Sequence, residues 1–171
     1  MLGYEFSVCV TDAAEPPPSP ELSPEENLRI IVAAKGKATA GENPDCAVIA
    51  ADTVVVLDGV YYGKPKDETD AVRMLKTLSG RTHEVYTGVA VYNASSGFSQ
   101  FDCACTPVTF RELPEREILD YIETGEPMDK AGAYGIQGFG AKLIERVGGD
   151  FYNVMGLPVG TLRSLLFNLG L

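Results

Sequence analysis

Residues 46–57 read CAVIAADTVVVL, a nearly continuous apolar run that only Asp52 and Thr53 interrupt. A run of this length, rich in β-branched residues, predicts a central strand that is buried on both faces. The Asp58-Gly59 pair that follows is a hairpin signal, so we expect the chain to return as a second, antiparallel strand. This strand and its hairpin therefore place Asp52 inside the scaffold.

Asp52 is the anomaly of this strand, because an unpaired charge there costs several kcal/mol. Two interpretations are open. Asp52 pairs with a backbone turn or a lysine, or it is a metal ligand or general base. Lys64, within Gly63-Lys64-Pro65, favours the second, since pairing across the hairpin brings its ammonium group to the same end of the sheet. The sequence thus predicts a carboxylate and an ammonium that face one pocket.

A second polar segment, DKAGAYGIQG at residues 129–138, lies between apolar runs. Acidic, basic, amide and glycine groups in a short turn-like segment are typical of a site for a small polar ligand. Gln137 lies between Gly135 and Gly138, so its amide can approach a planar base closely and offers both a donor and an acceptor. The alternative interpretation of Gln137 is an exposed loop glutamine.

The rest of the chain alternates strand and helix patterns. Ser23-Pro24-Glu25-Glu26 is a capping box with proline at the first helical position, and Asp67 is a second helix cap. Glycines at the ends of apolar periodic segments predict the helix stops. The patterns predict strands at 4–10, 82–92, 98–110 and 141–147, and helices at 24–40, 68–79, 114–124 and 157–169.

Length and charge limit the class of protein. The 171 residues, 45% of them hydrophobic, predict a single domain over residues 1–171. No apolar stretch reaches the roughly 20 residues of a spanning helix, and no signal peptide is evident, so we expect a cytoplasmic protein with no membrane partner. A net charge of −10 argues against a nucleic-acid polymer as partner. A small anion is still compatible, if local lysines or a divalent cation offset the repulsion.

Histidine and cysteine contribute little to the predicted chemistry. His83 is the only histidine, which excludes a His-rich zinc site. The four cysteines form no C-x-x-C pair and lie in strand-like runs, so we expect buried free thiols. Carboxylates and lysines must therefore perform any catalysis.

Several long motifs in register resemble one protein family, the Maf family of nucleoside triphosphate pyrophosphatases. The resemblance covers essentially the whole chain. Its motifs are ADTVV at 51–55, GKP at 63–65, ML and LSG at 74–75 and 78–80, HEVYT at 83–87, DKAGAYGIQG at 129–138 and VMGLP at 154–158.

The resemblance implies both a fold and a reaction. The fold is an elongated α/β structure shared with the inosine triphosphate pyrophosphatase superfamily, in which a mixed sheet with flanking helices leaves a cleft between two lobes. The reaction cleaves a nucleoside triphosphate between the α and β phosphates, with Mg²⁺ or Mn²⁺ as cofactor. The DKAGAYGIQG segment resembles the branch that acts on dTTP and UTP rather than the branch that acts on 7-methyl-GTP.

The resemblance also implies roles for individual residues. Asp52 matches the proton acceptor, which activates the attacking water and contacts the metal. Glu15 matches an acidic metal-ligand position. Asp129 either orients Lys130 or binds metal through water, and a simple turn-forming role is equally open. The other matched residues bind substrate: Lys37 and Lys64 hold phosphate, Lys130 is a further substrate contact, and Thr53 and Gln137 select the base.

One departure from the family pattern affects the expected activity. Family members begin with a strand and a Ser-x-Ser-Pro-Arg-Arg loop, and this sequence contains no such segment, so we predict an N-terminally incomplete domain. The resemblance implies that the missing arginine binds phosphate or base bidentately, which lysine does not replace. An exposed sheet edge would favour self-association, for example as a homodimer. A non-catalytic nucleotide-binding regulator of septation and an inactive truncated remnant are therefore the alternatives.

Overall fold

The computed structural model describes residues 3–10 and 14–171; residues 1–2 and 11–13, at the chain start and just before Glu15, lie outside it. Over the described residues the strands are β1 (Val48–Leu57), β2 (Val60–Tyr62), β3 (Thr82–Asn93), β4 (Phe98–Phe110) and β5 (Ile144–Val147). They form one antiparallel sheet in the order β2-β1-β3-β4-β5.

Five α-helices flank this sheet in the described part of the chain. They are α1 (Pro24–Glu42), α2 (Glu68–Leu78), α3 (Glu115–Ile122), α4 (Phe151–Val154) and α5 (Val159–Leu169). Short 3₁₀ turns at Glu126–Asp129, Ala131–Ala133 and Gly138–Leu143 connect α3 to β5. The predicted α/β fold with flanking helices is confirmed. Among these described helices, none has the length and apolar content needed to cross a bilayer.

Local sequence signals account for the ends of these elements. Asp58 and Gly59 both have positive φ, of 52° and 75°, as a two-residue hairpin between β1 and β2 requires. The Ser23 side chain accepts a hydrogen bond from the Glu26 amide while the Glu26 carboxylate accepts one from the Ser23 amide, which completes the predicted capping box of α1. Asp67 caps α2 through the Asp70 amide, also as predicted.

The sheet leaves one side of β1 open. β3 pairs with β1 from Val48 to Val56, whereas β2 pairs only with the last three residues of β1, Val55–Leu57. Along residues 48–54, β1 therefore has a single partner strand within the described part of the chain. Asp52 and Thr53 lie in this stretch.

Side chains of β1 alternate between two packing environments, because successive strand residues point to opposite faces. Residues on one face, among them Ala50 and Val54, pack against α1. Those on the other, among them Val55 and Leu57, pack against α2 and α3. Asp52 consequently faces α1, and Thr53 points to the opposite face of the sheet.

The largest apolar cluster supports the polar segment at 129–138. It contains fully buried side chains of α2, α3 and β4, including Leu75, Phe110 and Tyr121. Ala133 and Tyr134, from within the polar segment, belong to the same cluster. The segment is thus anchored in the core while its polar groups face outward.

Some sequence-based expectations are wrong. Residues 4–10 form no strand and leave Val10 92% exposed, because an alternating apolar segment needs a neighbouring strand to pair with, and the structure gives it none. The thiols are free, but Cys9, Cys46 and Cys105 are exposed. β5 begins only at Ile144, since the preceding residues form a 3₁₀ turn. The first half of β1 is also not buried on both faces.

Candidate active site

A cavity of about 600 Å³ opens along the unpaired side of β1. Its walls come from β1, from the segment 129–137, from the residues after α4, and from residues 15–18 together with α1. Seven of the eight site residues predicted from the sequence line this cavity: Glu15, Asp52, Thr53, Lys64, Asp129, Lys130 and Gln137. The structure therefore brings together residues that are far apart in the chain.

The charged centre of the cavity is a lysine that the sequence analysis missed. Lys35 Nζ lies 2.9 Å from Asp52 Oδ1 and 3.1 Å from Glu15 Oε1. The side chains of Lys35 and Asp52 are only 22% and 27% exposed. Burial by itself lowers the pKa of Lys35, but the hydrogen bonds and charges of Asp52 and Glu15 outweigh burial and raise that pKa above its ordinary value. Lys35 therefore stays positively charged between two carboxylates.

Lys37, in contrast, does not line this cavity. It borders a separate depression next to Tyr92 and Phe98. Two positions along an α-helix correspond to about 200° of rotation, so Lys35 and Lys37 point to nearly opposite sides of α1. Lys35 therefore occupies the place in the cavity wall that the resemblance implied for Lys37. The helical spacing Leu28, Ile31, Lys35 was the signal that identifies the inward-facing lysine.

Two further lysines lie on other walls of the cavity. Lys64 follows β2 and is exposed. Lys130 Nζ lies 2.6 Å from Asp129 Oδ1, and this bond, with additional attraction from Lys64, lowers the pKa of the Asp129 carboxyl. Asp129 and Lys130 are therefore brought together, as the orienting role for Asp129 required.

The carboxylates do not gather into one ligand cluster. Within residues 3–10 and 14–171, no three side chains of His, Cys, Asp or Glu form a group that could hold a metal ion. Asp52 and Glu15, however, both lie within hydrogen-bonding distance of Lys35 Nζ, so these two carboxylates are neighbours. Magnesium in nucleotide sites commonly takes one or two carboxylates together with substrate phosphates. The Asp52 and Glu15 pair fits that donor set.

The segment 129–138 packs tightly against β1 at Gly132. Gly132 has φ of 69°, and its amide donates a 3.0 Å hydrogen bond to the carbonyl of Gly63, next to Lys64. A Cβ at this position would lie 3.1 Å from Val55. Only glycine adopts this backbone and permits this approach without strain. Gly132 thus fixes the distance between the Lys64 turn and the Lys130 turn.

Gln137 is exposed in the cavity wall, and the turn that contains it is held by Glu126 and Tyr121. The Glu126 carboxylate accepts 2.9 Å hydrogen bonds from the amides of Phe139 and Gly140 and from the Tyr121 hydroxyl. The Tyr121 oxygen in turn accepts a 3.2 Å bond from the Gly135 amide. One carboxylate and one phenol therefore fix both ends of the turn.

The charge of Glu126 depends on these bonds. Burial raises the pKa of Glu126, but the two backbone donors and Tyr121 outweigh it and lower the pKa below its usual range. Sequence reasoning missed Glu126. The sequence signal for Glu126 was its location, directly before Pro127 and three residues before Asp129, at the start of the polar segment.

Thr53 takes part in a buried hydroxyl network on the other face of β1. Thr53 Oγ1 lies 2.9 Å from Thr87 Oγ1 on β3, and Thr87 Oγ1 donates a 3.0 Å hydrogen bond to the carbonyl of Asn153 in α4. Thr87 and Asn153 are both 0% exposed. The network therefore connects the cavity wall at Thr53 to the interior.

His83, the only histidine, is a core residue. It is 1% exposed and does not line the cavity. Its Nε2 shares a 2.7 Å hydrogen bond with the Tyr134 hydroxyl, and both rings pack edge-on against Phe110. Burial lowers the pKa of His83 to about 4, so the ring is neutral at pH 7. His83 anchors the polar segment through Tyr134.

Comparison with known proteins identifies the family of this chain. The family described as Maf-like protein matches residues 1–169. A dTTP/UTP pyrophosphatase of Aquifex aeolicus (strain VF5) is 47% identical, over 100% of this chain and 88% of the relative. A dTTP/UTP pyrophosphatase of Bacillus velezensis (strain DSM 23117 / BGSC 10A6 / LMG 26770 / FZB42) is 52% identical over 84% and 76% of the two chains. One of Dictyoglomus turgidum (strain DSM 6724 / Z-1310) is 44% identical over 99% and 88%. The chain belongs to the Maf-like protein family.

Proposed function

We propose that this protein is a nucleoside triphosphate pyrophosphatase that hydrolyses dTTP and UTP to the monophosphate and pyrophosphate. The observation that supports this most directly is the location of Asp52. Its carboxylate lies in the part of β1 that has a single partner strand among the described residues, in one cavity with Lys35, Lys64, Lys130 and Gln137. The relatives named dTTP/UTP pyrophosphatase support the choice of substrate.

In the proposed reaction, Asp52 acts as general base. It accepts a proton from water, whose oxygen forms a bond to the α phosphorus while the bond from that phosphorus to the bridging oxygen breaks. Pyrophosphate leaves with the bridging oxygen and its electron pair. Lys35, Lys64 and Lys130 lie on three sides of the cavity and stabilise the negative charge of the triphosphate and of the departing pyrophosphate.

Lys35 has a second role in this proposal. In the structure it neutralises Asp52 and Glu15, and a bound triphosphate offers the same ammonium a further set of anionic oxygens. When Lys35 turns to phosphate, the Asp52 carboxylate becomes available for water. Substrate binding and activation of the base are thereby coupled through one side chain.

A divalent cation, Mg²⁺ or Mn²⁺, is the proposed cofactor, and Asp52 and Glu15 would hold it. Bound there, the ion would polarise phosphate oxygens and offset negative charge. Asp129 lines the same cavity next to Lys130, and we assign it the orientation of that lysine. We further propose that the protein acts in the cytoplasm on free nucleotides, without a nucleic-acid polymer or membrane partner.

Product analysis in H₂¹⁸O tests the reaction. With Mg²⁺, dTTP or UTP should yield equal amounts of monophosphate and pyrophosphate, with the label in the monophosphate because water attacks the α phosphorus. Asp52→Asn should abolish turnover, whereas Asp102→Asn, an exposed aspartate on β4 outside the cavity, should not change it. Orthophosphate as the first product, or label in pyrophosphate, contradicts the proposal. Binding of nucleotide without turnover would instead favour a non-catalytic regulator or an inactive remnant.

A further inference from the structure

We propose that Thr87, which does not line the cavity, determines which pyrimidine the site accepts by fixing the direction of the Thr53 hydroxyl. The inference rests on the proposed function and on the role in base selection that the family resemblance implies for Thr53, which lines the cavity. Its basis is the hydrogen-bond chain from Thr53 through Thr87 to the carbonyl of Asn153. Thr87 is a positioning residue in this proposal, since it acts on the ligand through Thr53.

The donor and the acceptor of each hydrogen bond from Thr53 to Asn153 follow from the number of hydroxyl protons available. A backbone carbonyl only accepts, so the single hydroxyl proton of Thr87 is used in its bond to Asn153. The bond between Thr53 and Thr87 then has one possible direction: Thr53 donates and Thr87 accepts. The proton of Thr53 therefore points into the protein, and its oxygen offers only lone pairs to the cavity.

The acceptor at the end of the chain is held in place. That carbonyl also accepts a 2.9 Å hydrogen bond from the Gly156 amide, and the side-chain amide of Asn153 donates a 2.9 Å hydrogen bond to the carbonyl of Val85. Asn153 is completely buried, and Thr53 and Thr87 are directly paired in the register of β1 and β3. The carbonyl of Asn153 cannot turn away, so the hydroxyl of Thr87 cannot easily reverse.

Space next to Thr53 is available for a ligand. Gly156 also lines the cavity, with φ of 104°, and a Cβ built on it would lie 3.5 Å from Thr53 Oγ1. The absence of a side chain at Gly156 leaves the acceptor face of Thr53 accessible. A group that contacts Thr53 Oγ1 from the cavity must then be a donor.

This requirement separates the pyrimidines. Uracil and thymine have an N–H at ring position 3, whereas cytosine has an unprotonated nitrogen there, which is itself an acceptor. With ring position 3 against Thr53 Oγ1, a fixed acceptor pairs with the N–H of uracil or thymine and opposes the lone pair of cytosine, whose amino donor is at position 4. This arrangement favours the imide-containing bases through Thr87, a residue that the base never touches.

Binding of non-hydrolysable α,β-methylene analogues of UTP and CTP, measured by calorimetry with Mg²⁺, tests the inference. The protein should prefer the UTP analogue by about 10-fold to 100-fold, the range expected when one buried polar contact is mismatched. Thr87→Val should lose most of this preference, because Thr53 is then free to donate as well as accept. Thr87→Ser, which restores the hydroxyl, should retain it.

Thr106→Val is the matched control. Thr106 is also 0% exposed and bonded to Asn153, but it lies on β4, with β3 between it and Thr53, and it does not line the cavity. It should lower stability about as much as Thr87→Val and keep the preference for the UTP analogue. A loss of preference in Thr106→Val would show that general loosening of α4 is responsible and would overturn the inference.

Different results would contradict the proposed reaction and the proposed role of Thr87. Equal affinity of the unmodified protein for the two analogues, or an unchanged preference in Thr87→Val, overturns the role of Thr87 and leaves pyrophosphate release untouched. A preference that depends on Thr87 without any pyrophosphate release supports the inference and contradicts the proposed reaction. Failure of both analogues to bind overturns both.

Discussion

Lys35 Nζ lies 2.9 Å from Asp52 Oδ1, so α1 supplies a positive charge to the one carboxylate within β1. The pair is partly buried and shares the ammonium with Glu15. This arrangement explains how an aspartate is tolerated within an apolar strand: it is paired with Lys35, and it lies where β1 has only one partner strand among the described residues.

Replacing Lys35 tests whether this lysine acts on the substrate. Lys35→Ala should reduce kcat/KM for UTP by about 100-fold or more, as expected for loss of a preorganised charge in the transition state. Lys37→Ala is the matched control, because it removes the same group two residues away on the opposite side of the helix. Its effect should stay within about twofold. Equal losses in both variants, or a loss in Lys37→Ala alone, would contradict the assignment of Lys35.

Glu126→Gln should loosen the turn that contains Gln137. The substitution keeps the shape of the side chain but weakens bonds to two amides and to Tyr121, with an expected loss of about 1–3 kcal/mol in the free energy of unfolding. Because the effect is on positioning of the base, KM should rise more than kcat falls. Glu123→Gln, an exposed neighbour at the end of α3, should leave both constants and the melting temperature unchanged. An unchanged KM in Glu126→Gln would show that the turn keeps its position without this carboxylate.

Gly132→Ala should destabilise the protein by about 1–3 kcal/mol, because a side chain there combines an unfavourable backbone with a close approach to Val55. Chemical denaturation measures the change. Gly41→Ala, in the last turn of α1 with open space around its Cα, should have the opposite sign, a gain of up to about 1 kcal/mol. A neutral Gly132→Ala would mean that the segment 129–138 does not depend on its contact with β1.

The lowered pKa of His83 predicts that the free energy of unfolding depends on pH. Burial lowers its pKa from 6.5 to about 4 in the folded state, so between these values the unfolded chain binds a proton that the folded protein excludes. Stability should therefore fall as the pH decreases from about 6.5 to about 4, with a slope of at most about 1.4 kcal/mol per pH unit from this residue. Denaturation curves at several pH values give the slope, and His83→Gln should flatten it.

The Tyr134→Phe variant distinguishes the effect of His83 titration on stability from the effect of the hydrogen bond between His83 and Tyr134. It removes the partner of His83 but leaves the imidazole buried, so the slope between about pH 6.5 and 4 should persist while the overall stability drops. If His83→Gln has the same slope as the unmodified protein, then other groups, such as paired carboxylates, account for the acid sensitivity.

The sequence predicted most of the fold because periodicity and caps are local properties. The ribbon of β3 and β4, the capping box of α1 and the hairpin at Asp58-Gly59 all follow from neighbouring residues. The segment 4–10 shows the limit of such reasoning. Its alternation fits a strand, but a strand exists only where another strand pairs with it.

For the site, the sequence identified polar residues but not all of their partners. Asp52, Lys64 and Gln137 reach one cavity as expected. Lys35 was missed because matching by motif placed the lysine two positions later, where the helix turns it away. Glu126 and Thr87 were given no role from the sequence, because each acts through contacts with residues that are distant in the chain or through backbone amides that only folding aligns.

Adjacent positions in β1 point to opposite sides of the sheet, and this has an evolutionary consequence. In the proposed function, Asp52 acts on the side of the sheet that faces α1, and Thr53 contacts the base on the side that faces α4. The two residues are adjacent in the chain. Substitutions around α4 can then retune nucleobase choice while the cleavage machinery stays intact, which allows selectivity to diversify among descendants. A one-residue insertion within β1 has no such freedom, since it would swap both side chains to the wrong side at once.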